Sequence, residues 1–81
     1  MTKYIEVILA KDRKGRTVTS MRMPMDSEVI DSGKTKVVSS SYGHVVLLDF
    51  ATNTATYWRP GTPGDRKKTD IIYHDLDNEE N

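Results

Sequence analysis

The chain has 81 residues, with twelve Lys and Arg balanced by twelve Asp and Glu, and it has no Cys. The missing Cys excludes disulfide scaffolds and every Cys-ligated zinc or iron–sulfur centre. The length leaves no room for a Rossmann unit, a P-loop enzyme or a (β/α) barrel, and no apolar run approaches the ~18 residues of a membrane span. The chain starts with Met, lacks a signal-peptide apolar region, and reads as one complete small domain in a reducing, cytoplasmic setting.

Residues 4–10 are rich in β-branched and aromatic types and nearly continuous in apolar character, which predicts a central strand. Residues 11–16 hold four cations and one Gly and read as a hairpin loop. Residues 17–23 alternate, but the apolar phase slips between Val18 and Met21. A bulge near Thr19 and Ser20 repairs that slip. Pro24 then ends the ladder or marks an edge strand.

Residues 25–35 predict one short helical turn through Glu28, Val29 and Ile30, capped by Asp26 or Ser27 and stopped at Ser32 and Gly33. An irregular loop is the alternative. Residues 36–42 and 44–50 read as strands, separated by Gly43. Residues 51–54 are turn-like and lead into a strand over 55–59. Residues 60–69, with two Pro and two Gly, predict a ten-residue loop before a short last strand over 70–74. Residues 75–81 form an acidic tail, expected to fray.

The expectation is an all-β domain over residues 1–74 with at most one short helical turn. Its architecture is a small antiparallel sheet or an SH3-like or OB-like barrel of five or six strands. Such a chain barely sustains itself. Surface scaling at this mass gives about 8,400 Å² buried on folding. With about 60% of it apolar, that burial is worth roughly 125 kcal/mol, against about 120 kcal/mol for ordering the chain. A partner or a second copy of the chain adds stability that the core lacks.

The zero net charge conceals a pattern. Removing Asp75, Asp77, Glu79 and Glu80 leaves twelve bases against eight acids, so residues 1–74 carry +4. The cations concentrate in Arg13, Lys14 and Arg16 on one loop and in Arg66, Lys67 and Lys68 on another. Both loops are candidate anion contacts. Tyr42 and His44 share one strand face, where two bases can stack. Trp58 and Arg59 sit beside the Pro/Gly loop, and adjacency on a strand sends Tyr57 and Trp58 to opposite faces. The only Trp is expected in the core with Tyr57 outward. The reverse arrangement offers Trp58 to a partner. Met21, Met23 and Met25 recur at period two and share a face, which is core-facing filler or, if exposed, an adaptable patch.

No chemistry-bearing constellation emerges. His44 and His74 lack ligand spacing, so no metal or cofactor is expected, and no nucleophile elbow or phosphate loop is present. The chain therefore reads as a non-catalytic interaction module of adaptor or inhibitor type, with a phage or mobile-element accessory role as its setting. Its partner is another protein or a second copy, contacted through Trp58, Arg59, Tyr57, Met21 and Met23. The alternative is an OB-like or SH3-like module for single-stranded nucleic acid or a nucleotide, using the aromatic residues and the basic loops.

Overall fold

The computed structural model describes residues 2–61 and 64–75. Seven strands and one short helix are formed among them, in the order β1 (Thr2–Lys11), β2 (Thr17–Asp26), α1 (Ser27–Asp31), β3 (Thr35–Ser39), β4 (Val45–Asp49), β5 (Thr54–Trp58), β6 (Lys67–Asp70) and β7 (Ile72–Asp75). All pairings are antiparallel and fall into two sheets, β2-β1-β7 and β3-β4-β5-β6. The all-β expectation with one helical turn holds.

The strands number seven because the last segment is shared between the sheets. Residues 67–70 pair with β5, and residues 72–75 pair with β1. Ile71 is the corner. Its side chain is buried, and its N–H donates to the carbonyl of Asn53 at 2.8 Å, so the chain changes sheets without orphaning that donor. The expected ten-residue loop is correspondingly shorter, and Lys67 and Lys68 are strand residues. Of that loop, residues 62 and 63 lie outside the described residues, as does the acidic tail from residue 76.

Alternation decides which side chains enter the core. Ile5, Val7 and Leu9 of β1 face inward, with Ile5 opposite Met23 and Val7 opposite Met21 of β2, and Met25 shares the methionine face. From the other sheet come Val46, Leu48, Phe50 and Ala55, with Ile71 at the corner. The methionines do share a face, and it is the core face. Met21 and Met25 are buried and Met23 is half-buried, so Met21 is not an exposed partner contact. Flexible thioethers suit the irregular space between two small sheets.

Tyr57 and Trp58 also resolve against the expected orientation. Tyr57 packs on the core, and Trp58 takes the opposite face of β5, where it is half-buried. Tyr57 pairs with Val46, whose side chain is fully buried, so phase follows the apolar face of β4 rather than the size of the indole.

Candidate functional site

Three local devices meet at one end of the molecule. The first is a slip in the β1–β2 ladder. Ile8 pairs with Ser20, Ala10 with Thr19 and Lys11 with Thr17, so Leu9 and then Val18 are skipped. The irregularity falls next to the expected position, at Val18 rather than at Thr19 and Ser20, and Val18 stays exposed instead of joining the Met21 face. It bends the ladder and turns Ala10 and Thr19 towards a cleft.

The second device is the turn after β3. The Ser40 hydroxyl oxygen accepts hydrogen bonds from the backbone N–H of Tyr42 and His44, at 3.3 and 3.0 Å. The Ser40 N–H donates to the His44 carbonyl, and Gly43 supplies the left-handed residue at φ 88°. Tyr42 is thereby held at the tip with 59% of its surface exposed. His44 turns inward, its ring edge-on to Tyr57 at 5.8 Å.

The third device is the β5–β6 register. Tyr57 pairs with Lys67, which sets Arg66 beside Trp58. The Arg66 guanidinium carbon lies 4.9 Å from the centre of the Trp58 ring. A cation over an indole face is held by the ring quadrupole, an attraction that uses none of its N–H donors in a hydrogen bond.

Together these build a cleft of about 300 Å³ lined by Tyr42, His44, Tyr57, Trp58, Arg59 and Lys67, with Leu9, Ala10, Thr19 and Asp65 completing its wall. Among the described residues three cations, Arg59, Lys67 and the adjoining Arg66, stand with one acid, Asp65. The Nδ1 atom of His44 is enclosed in this wall and has no hydrogen-bond partner among the described residues. A second groove of about 360 Å³ shares Tyr42 with the cleft and is otherwise lined by Ser20, Met21, Arg22, Met23 and residues 39–41.

The sequence candidates divide accordingly. Trp58, Arg59, Tyr57, Arg66 and Lys67 gather at the cleft with Tyr42 and His44. Lys68 pairs with Thr56 and does not line it. Arg13, Lys14 and Arg16 belong to a separate, self-contained loop. There the Asp12 carboxylate accepts from the N–H of Lys14 and Arg16 and from Arg16 Nε at 2.8 Å. The Arg16 backbone N–H and side chain, with the Lys14 N–H, hold the Asp12 carboxyl below the usual range. Arg16 is thus committed to its own loop and is not an anion contact of the cleft.

Sequence reasoning missed one cluster. On the outer face of the β2-β1-β7 sheet, Glu6 is 8% exposed. Its carboxylate accepts from Arg22 Nε at 3.1 Å and meets His74 Nε2 at 3.1 Å. The His74 ring stacks on Tyr4, with centroids 4.4 Å apart and planes 7° from parallel. Burial pushes the Glu6 carboxyl up, but hydrogen bonds from Arg22, His74 and Ser20 and the charge of Arg22 outweigh it and hold it below the ordinary value. The signal was visible: Glu6 is a lone charge between Ile5 and Val7 in an apolar strand.

No group of three His, Cys, Asp or Glu among the described residues is placed to hold a metal ion. No helix among them is long and apolar enough to cross a membrane. Comparison with known protein families, with curated proteins and with solved structures finds no match to the chain.

Proposed function

We propose that this chain is a non-catalytic binding module that takes a nucleobase and its phosphate in the Tyr42–Trp58 cleft. One observation carries the reading: an exposed ring, a guanidinium-capped indole and two further cations surround a single opening of about 300 Å³. Rings supply sequence-tolerant stacking, and cations supply phosphate contact. The volume is at the small end of ligand clefts, which suits one nucleotide unit. The methionine face that favoured a protein partner lies in the core, whereas the aromatic candidates converge with Arg59, Arg66 and Lys67.

Trp58 is the only Trp, so its fluorescence reports on the cleft directly. Titration with an oligothymidylate of about eight nucleotides is expected to quench it, and the affinity falls as salt rises. Tyr42→Ala is expected to weaken binding about tenfold or more, the worth of one stacked base. Absence of quenching at low salt overturns the reading.

A protein-binding role is the second reading, favoured by a different observation. Strands β2 and β3 each have a single strand neighbour among the described residues, and each carries an exposed valine, Val18 at 65% and Val37 at 62%. Open edges of this kind pair with a strand from another protein or a second copy.

A further inference from the structure

We infer that the ligand of the cleft is an internal nucleotide of a single strand, whose chain crosses Tyr42 and continues into the second groove. This inference rests on the nucleotide reading above and specifies its ligand. Tyr42 lines both depressions and is 59% exposed. Each depression also has a cationic lining: Arg59 and Lys67 line the first, and Arg22 lines the second.

A mononucleotide carries its phosphate on one side of the base and needs one cationic flank. An internal nucleotide has a phosphate on each side, and only it uses both. Arg22 is suited to the far phosphate. Its Nε is fixed by Glu6, which orients the guanidinium, while 63% of the side chain stays exposed. A guanidinium held by one nitrogen still offers its terminal N–H groups to an anion.

The rest of the second groove fits a sugar–phosphate chain better than an apolar ligand. Ser39 and Ser41 on its rim are exposed hydroxyls, and both donate and accept. β2 adds backbone groups. Pro24 has no N–H, and it lies opposite Tyr4. That pair is therefore a non-bonded one, and by alternation Ser20 and Arg22 turn their backbone N–H and C=O away from β1, towards the groove. Donors and acceptors in a row beside an exposed ring make a track that reads backbone and stacking, not sequence.

The test is a length series. Thymidine monophosphate and oligothymidylates of two, four and six nucleotides are titrated against the full chain at several salt concentrations, with polyglutamate as a second anionic probe. The expected result is an affinity gain of about tenfold or more from the monophosphate to the tetramer. Each added phosphate contact also steepens the log–log salt dependence by about 0.7. Arg22→Gln is expected to remove most of that gain. The wild-type series decides the matter even where this variant folds poorly. Equal affinity for the monophosphate and the tetramer overturns the inference and leaves a mononucleotide site. Polyglutamate binding as tightly as the tetramer also overturns it, in favour of an acidic polypeptide. Failure of every thymidylate to bind overturns the nucleotide reading itself.

Discussion

Glu6 shows how one residue can set both stability and its pH dependence. A carboxylate in the middle of a sheet face would lose its hydration at a cost, but Arg22, His74 and Ser20 replace that water. Its folded pKa lies below the ordinary value of 4.5. The stabilisation is therefore complete above that range and is lost as pH falls through the folded value. Glu6→Gln is expected to cost about 1–2 kcal/mol near neutral pH, at or below the low end for hydrogen bonds to a charged group, since Arg22 is largely exposed. Denaturant midpoints at neutral and at acid pH check this. The variant loses less stability on acidification than the parent, with a residual loss from Asp12, whose carboxyl is also depressed. An unchanged acid sensitivity would show that Glu6 is not the group responsible. At the cleft, Arg66→Ala is expected to change Trp58 emission while costing only about 0.5–1 kcal/mol, because a cation over an exposed ring adds little to folding.

Among the elements, the β6–β7 corner carries most consequence. One segment serves two sheets, and Ile71 is the buried side chain at the bend. Ile71→Ala is expected to cost about 2–5 kcal/mol by removing buried volume where neither sheet can collapse to fill it. Ile72→Ala, one residue on and 39% exposed, serves as the control and should stay within about 1 kcal/mol. Thermal melts of the two variants separate a core effect from a general intolerance of the segment. This corner was not legible in advance. Residues 70–74 read as one strand because Ile71, Ile72 and Tyr73 are strand-forming types and no turn residue marks a break among them. That the halves join different sheets depends on where β1 and β5 lie. The β1–β2 bulge was legible, because a slipped apolar phase within one strand is a local fact.

For the whole molecule, small size sets the margin. At roughly 0.05–0.15 kcal/mol per residue, a chain of this length has about 4–12 kcal/mol of stability. The loss predicted at Ile71 is a large part of that, so single core changes are expected to leave a measurable unfolded fraction at body temperature. Among the described residues β2 and β3 are terminal strands of their sheets, and each carries an exposed valine. Exposed valines on an edge strand favour strand addition. Concentrated protein is therefore expected to associate reversibly in sedimentation runs, and Val37→Lys on the β3 edge should shift it towards monomer. A parent that stays monomeric at high concentration argues against edge pairing and removes the support for the protein-binding reading.

Strand propensity, turn chemistry and the single helical turn are properties of neighbouring residues, and the amino-acid sequence by itself determined them. It also determined that Met21, Met23 and Met25 share a face and that Tyr57 and Trp58 oppose each other, since both follow from period two. Which face met the core was decided only by tertiary structure. The answer depends on the partner strand: Met21 faces inward because it opposes Val7, and Tyr57 because it opposes Val46. The cleft belongs to the same class. Tyr42 and Lys67 are far apart in the chain and line one cleft because β4 pairs with β5 and β5 with β6. The balanced charge was fixed by composition, but gathering Arg59, Arg66 and Lys67 around one opening needed the β5–β6 register, which no local pattern encodes.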